Sequence, residues 1–265
     1  MKAFDSDISI FSSCPPSAGV DGPEYLRQVI ASAHWSEQAG CTGMLIYSDN
    51  LQVDPWLVAQ AVIDNTDALV PLIALQPVYM HPYTAAKKVA SIAHLHGRRV
   101  YLNLVAGGFR NDLIALDDAT PHDRRYERLI EYMEIMNGLL RGEEPVNFNG
   151  EFYTVKGLKL SPECPAHLRP GVFVSGSSPA GRAAAQALGA TAIEHPGPAD
   201  GTAPAFLGSA GGAHEVGDAL AAYRALGYTT FITDIPESPE EMGHIGRAFA
   251  HATEATGCQD SYKTG

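Results

Sequence analysis

Short apolar runs alternate with longer amphipathic stretches along nearly the whole chain, and few architectures accept that rhythm. Each short run reads as a strand buried on both faces, and each longer stretch as a helix covering it, the pattern of a parallel sheet. The runs are Ile8–Ser13, Gly43–Ser48, Val70–Gln76, Arg99–Val105, Gly171–Gly176, Ala192–His195 and Thr229–Asp234. Helices are expected over Glu24–Ala39 (Leu26, Val29, Ile30 and Ala33 on one face), Trp56–Asp64, Thr84–His96, from Thr120-Pro121 through Leu140, from Ser178-Pro179 to Leu188, and over His214–Leu226 and Pro239–Thr253. Asp54-Pro55 reads as an N-cap followed by a first-turn proline, while Gly40 and Gly97 read as helix stops. In the long fourth helix, Leu129, Ile130, Met133, Met136 and Leu140 face inward.

Two segments break the rhythm. Val146–Val155 carries Asn149-Gly150 between β-prone flanks, a hairpin-turn signal, so a β-hairpin excursion is expected near 146–156. Pro196–Gly212 is rich in Gly, Ala and Pro, with Ala205–Leu207 its one apolar run and a candidate vestigial strand. With seven clear strands, the expected fold is a TIM-type (β/α) barrel, shortened or irregular around the seventh β/α unit, occupying 1–265 as a single domain. An open, doubly wound sheet is the structural alternative. No G-x-G-x-x-G follows the first strand, which counts against its dinucleotide-binding version.

Composition excludes several classes. The formal net charge is −12 with the acids dispersed, which argues against nucleic acid as a partner. No apolar run reaches the ~18 residues that a membrane helix needs. Met1–Cys14 carries Asp5 and Asp7 and lacks the layout of a signal peptide. The four cysteines form no C-x-x-C pair and no zinc spacing, so reduced thiols in a cytoplasmic protein are expected, with no metal site. His94 and His96, at i,i+2 on a helix, point to different faces.

In a parallel barrel, chemistry gathers where strands end and helices begin. Three such junctions stand out. At Ser175-Gly176-Ser177-Ser178-Pro179 a glycine admits a ligand to the backbone, the serines donate hydrogen bonds, and the following helix start favours an anion. An ordinary N-cap by Ser178 explains the same residues equally well. Asn103 lies inside an apolar strand, where an unpaired amide would cost ~1–3 kcal/mol. Its partner is either a ligand edge or a second-layer hydrogen bond. His122 and Tyr126, spaced i,i+4, share a helix face and can both reach a phosphate or a polyol chain. Arg124 and Arg125 are assigned to a solvated face with Glu127, Glu131 and Glu134. For proton transfer, the strand-end groups are Tyr47, Asp49, Tyr79, His81, Glu194, His195 and Asp234. Among these His195 and His81 are the proton-transfer candidates, because the free imidazole side chain titrates near neutral pH, although loop hydrogen bonding is the commoner role of such histidines. Trp56, Tyr79 and Phe109 are candidates to wall an apolar pocket.

The ordered series R-V-x-L-N-L-V-x-G-G (from Arg99), H-D-x-x-Y-E-R (from His122), F-N-G-E-F-Y-x-V-K-G (from Phe148) and V-F-x-S-G-S-S (from Val172) resembles the luciferase-like flavin monooxygenases. The match is to the alkanesulfonate branch in particular. Earlier stretches from Gly43, Asp54, Leu72 and His81 are similar too, and the resemblance runs from about Gly22 to Pro198 and from about Gly208 to Ala250. It implies a β/α barrel that takes reduced flavin mononucleotide (FMN) from a separate reductase and inserts one oxygen atom into a small organic substrate through a C4a-peroxyflavin. It also implies a cytoplasmic homo-oligomer, a homodimer by family habit. The resemblance assigns Asn103, His122, Tyr126 and Gln76 to the flavin site, and Gly176, Ser177 and Ser178 to the phosphate. Gln76 stands where the sulfonate branch has arginine, and Gln52 where it often has cysteine. Between His195 and His214 the long insertion that closes over sulfonate in that branch is missing, so alkanesulfonate is not the expected substrate. A non-catalytic flavin-binding protein with a shortened barrel and a deazaflavin (F420)-dependent oxidoreductase are the alternatives.

Overall fold

In a computed structural model, residues 8–193, 205–207, 223, 228–236 and 238–257 are described. They form two compact units, one from residues up to 45, 60–69 and beyond 194, the other from 46–59 and 70–193.

In the first unit, β1 (Ser9–Ser13), β2 (Gly43–Ile46), β9 (Ala205–Leu207) and β10 (Thr230–Thr233) lie parallel in the order β2-β1-β10-β9. The vestigial strand anticipated at Ala205–Leu207 is therefore present, with Phe206 opposite Ile232. Helix α1 (Gly22–Gln38) is capped by Asp21, whose carboxylate accepts the Glu24 amide at 3.0 Å. Ile8, Ile10 and Phe231 pack against Met242, Ile245 and Ala248 of the C-terminal helix α7 (Pro239–Gly257). Burying each large apolar side chain contributes roughly 1.5–3 kcal/mol. The helix expected over His214–Leu226 lies outside the described residues except for Tyr223.

In the second unit, β3 (Val70–Leu75), β4 (Tyr101–Val105), β7 (Gly171–Ser175) and β8 (Thr191–Ile193) run parallel in the order β8-β7-β4-β3. Ala74, Asn103, Phe173 and Thr191 stand in one register row. Helix α5 (His122–Arg141) packs on α3 (Pro82–His96) and on α6 (Pro179–Leu188), burying Tyr126, Leu129, Tyr132, Met133, Met136 and Leu140. Ile130, expected inward, is only partly buried. Helix α2 (Pro55–Asp64) starts at Asp54, whose Oδ1 accepts the Trp56 amide at 2.9 Å, as its sequence predicts.

Local chemistry accounts for the departures. Helix α3 begins two residues earlier than expected because Pro82 takes its first turn and His81 caps it. A short helix, α4 (Arg110–Ala115), follows β4 unannounced, pinned by the single buried side chain of Leu113. Thr120 does not cap α5. Its hydroxyl donates to Asp118 at 2.6 Å, and Pro121 takes the cap position with no side-chain bond. The hairpin of β5 (Val146–Asn149) and β6 (Thr154–Leu158) forms, but Asn149-Gly150 is not a two-residue turn: Asn149 pairs with Thr154 across a four-residue loop. The cause is Glu131 of α5. Instead of facing solvent, its carboxylate accepts the amides of Glu151, Phe152 and Tyr153 at 2.7, 2.8 and 3.0 Å. A Cβ at Gly150 would come within 2.4 Å of that carboxylate, so glycine serves close approach here.

Candidate functional site

The carboxyl ends of β4 and β7 bring together four of the anticipated residues. Strand β4 places Asn103 beside Ser175 of β7. The Ser175 hydroxyl donates to Asn103 Oδ1 at 2.8 Å, which supplies the partner that a buried amide requires and keeps Nδ2 as its donor end. The chain then turns at Gly176 with φ +146°, a conformation L side chains rarely adopt. Tyr126 from α5 reaches this turn, its hydroxyl donating to the Ser175 carbonyl at 3.3 Å. A Cβ on Gly176 would lie 2.1 Å from that hydroxyl. Backbone conformation and close approach thus both demand glycine.

Helix α6 starts immediately beyond. Ser178 caps it, Oγ accepting the Gly181 amide at 3.1 Å, with Pro179 in the first turn. The capping reading of Ser178 is therefore realised, and that hydroxyl is engaged within the chain. Ser177 is exposed at the turn. Gly181 is compact for a reason too, since a Cβ there would meet the Gly176 carbonyl at 2.6 Å.

Gln76 follows β3 and is 2% exposed. Its Nε2 donates to the Ser48 carbonyl at 2.8 Å, and its Oε1 accepts the Gly108 amide at 3.0 Å. Both ends of the amide therefore knit loops together at the strand ends. His122 sits at the start of α5 with its ring edge on Tyr126, 5.4 Å between centroids, but its side chain is 54% exposed and pairs with Asp123. His81 is engaged as the α3 cap: Nδ1 accepts the Tyr83 amide at 3.1 Å and the ring stands against Tyr153. His195 and Glu194 lie outside the described residues.

A cavity of about 290 Å³ opens beside Gln76, lined also by Asp49, Gln52, Trp56, Tyr79 and Met80. Trp56 and Tyr79 do wall it, as expected. Phe109 does not, being 68% exposed at the N-terminus of α4. The Tyr79 hydroxyl donates to Asn50 at 2.8 Å, and Asn50 is in turn tied to Asp112 of α4. Burial, helped by the Asp112 and Asp49 carboxylates, pushes the Tyr79 phenol up.

Two assignments on α5 are corrected. Glu131 holds the hairpin loop rather than a solvated surface. Arg125 does not join the solvated face: it turns toward Gly107 after β4, where a Cβ would lie 2.4 Å from a guanidinium nitrogen. Sequence held one signal for this. The residues three and four positions from Arg125 are Pro121, His122, Arg128 and Leu129, none of them acidic, whereas Arg124 has Glu127.

Residues 7–242 match the model of a family described as luciferase-like monooxygenase. The chain belongs to this family. It is 34% identical over 200 residues to the 4-(gamma-L-glutamylamino)butanoyl-[BtrI acyl-carrier protein] monooxygenase BtrO of Niallia circulans, covering 75% of this chain and 58% of that protein. The chain thus spans less than two thirds of this relative's length. Among solved structures, it resembles monooxygenase RslO1 from Streptomyces bottropensis with a TM-score of 0.61 at 18% identity, over 96% of this chain and 82% of the other. It also resembles an F420-dependent secondary alcohol dehydrogenase with a TM-score of 0.69 at 12% identity, over 92% and 99%. At these identities the likeness establishes fold, and the fold is the parallel β/α-barrel type of the luciferase-like proteins. Among the described residues, no helix is long and apolar enough to cross a membrane.

Proposed function

We propose that this family member is a reduced-flavin monooxygenase, binding FMN from a separate reductase and inserting one atom of dioxygen into a small organic substrate. The observation that carries it is the Asn103–Ser175–Gly176–Tyr126 cluster beside the start of α6. Its chemistry fits the cofactor. Asn103 has a donor, Nδ2, to offer a ring edge, and Gly176 opens the backbone to close approach. The Ser177 hydroxyl and the amides entering α6 suit a phosphate. Pro179 has no amide hydrogen, and the Gly181 amide is used by Ser178, so the donors that this turn offers a phosphate are the Ser177 side chain and the Ser177, Ser178 and Ala180 amides. When bound, the reduced flavin supplies the electrons and the site of oxygen activation. The protein's share is to orient it and exclude water.

The family match and the monooxygenase name of BtrO support the reaction class. BtrO's named substrate is an acyl group on a carrier protein, which favours an organic substrate bearing amide functions. Of the two histidines considered for proton transfer, His81 is accounted for by capping, so His195 is assigned that role. Homodimer formation completes the proposal.

Anaerobic titration tests it. Reduced FMN is expected to bind much more tightly than oxidised FMN, with oxygen uptake that depends on substrate. Tight binding of oxidised flavin with no oxygen-dependent turnover, or binding of F420 alone, would sink the reading. Replacing Ser177 with alanine is expected to weaken FMN more than riboflavin, and equal losses would remove the phosphate from this turn.

A further inference from the structure

Among the described residues, no carboxylate pairs with the charge of Arg125. Its neighbours on α5 are matched: Arg124 pairs with Glu127 and Glu151, and Arg128 with Asp118 at 2.7 Å. Among the described residues Arg125 has no ion pair, and its Nε is buried without an acceptor. The guanidinium instead lies over Gly107, where a Cβ would approach within 2.4 Å of a terminal nitrogen and 3.0 Å of Cδ. Gly107 does not need its glycine for backbone reasons, since its φ is not positive. What the missing side chain provides is room for the arginine.

The location matters as much as the isolation. Gly107 follows β4, two residues past the strand end, and the adjoining Tyr126 touches Ser175 and Gly176 at the end of β7. The cation therefore sits at the carboxyl end of the parallel strands. The chain has 30 acidic residues against 18 lysines and arginines. An arginine whose Nε is buried without an acceptor, and which has no ion pair among the described residues, is stabilised by an anion that joins it.

We propose that Arg125, seated on Gly107, is a binding site for an oxyanion group, phosphate or carboxylate, of a ligand held at the end of β4. A planar guanidinium meets such groups through two parallel hydrogen bonds. The site itself stands apart from the proposed function; only one source of the anion, the cofactor phosphate, rests on that reading.

Inorganic phosphate is the probe. Melting of the full chain is compared in phosphate and in chloride at matched ionic strength. Phosphate is expected to raise the melting temperature of the wild-type protein but not of Arg125→Gln, which in chloride melts no lower than wild type because an unmatched charge has gone. Gly107→Ala, which keeps the charge but displaces it, is expected to lose the phosphate response as well, while Arg125→Lys keeps part of it. An equal response in wild type and Arg125→Gln overturns the proposal. FMN and riboflavin then separate the sources. A loss of about tenfold or more for FMN alone in Arg125→Gln identifies the cofactor phosphate. Unchanged preference for FMN, with the phosphate response gone, identifies an anionic substrate group. Failure of the wild-type protein to bind any flavin would remove the flavin reading and leave the phosphate comparison intact.

Discussion

At the residue scale, Gly176 leaves little room for change. Alanine there is strained at φ +146° and collides with the Tyr126 hydroxyl. Strain of this kind costs ~1–3 kcal/mol, with the collision added. Gly176→Ala is expected to lower unfolding free energy by about 2–4 kcal/mol, and adding Tyr126→Phe, which removes the obstructing oxygen, is expected to restore part of it. A double-mutant cycle by denaturant unfolding checks this; strict additivity would argue against the contact. Cys14 makes a different point. It is 1% exposed, its sulfur 3.9 Å from the Tyr25 hydroxyl, and burial pushes its thiol up to about 12 despite that contact. At pH 8 roughly one part in ten thousand is thiolate, so iodoacetamide should label Cys14 only at the rate of unfolding. Mass spectrometry of the native protein reads this directly. Gly176 was legible in sequence as a place for backbone approach. The tyrosine that occupies the space was legible only as a helix-face neighbour of His122, because contact between distant segments leaves no local pattern.

At the scale of elements, α5 organises its surroundings through partly buried charges. Asp118 lies just before it with its side chain 7% exposed, bonded to Arg128 and to both the hydroxyl and amide of Thr120. Burial alone would raise this carboxyl, but the hydrogen bonds and the charge of Arg128 outweigh it and hold the carboxyl at about 2. A depressed folded-state value means stability that is present above the unfolded value near 4 and lost as pH falls toward 2. Asp118→Asn is thus expected to cost about 2 kcal/mol at pH 7, and the gap should close between pH 4 and pH 2 in urea titrations. A gap independent of pH would rule out the charge as its origin. Glu131 acts on the hairpin in the same fashion. With Glu131→Ala, amide exchange at Glu151, Phe152 and Tyr153 should accelerate at least tenfold, with β7 unaffected, as hydrogen-exchange spectra would show. Asn149-Gly150 announced a hairpin correctly and its turn incorrectly. Local propensity chose the reversal, and a carboxylate from another element chose the loop.

At the scale of the molecule, the proposed cofactor is a stabiliser by mass action. At a hundred times its dissociation constant, reduced FMN should add about 2.7 kcal/mol, a rise of roughly 5–10 °C in melting temperature. Riboflavin at the same concentration should add less, and anaerobic calorimetry separates the two. The alternation of apolar runs and amphipathic helices determined the parallel β/α class from sequence alone. Burial on both faces of a strand and one face of a helix is written into residue periodicity, and each strand pairs whichever way the next helix returns it. Ordered motifs likewise carried the family, strand-end position singled out Asn103 and Gly176, and helix spacing singled out Tyr126. Tertiary structure decided which polar groups remain available. It committed Ser178 and His81 to caps and Gln76 to bracing two loops, exposed His122, and turned Arg125 from an imagined solvated face toward Gly107. These outcomes depend on which partners arrive from remote segments, and a side chain's own sequence neighbours do not encode that.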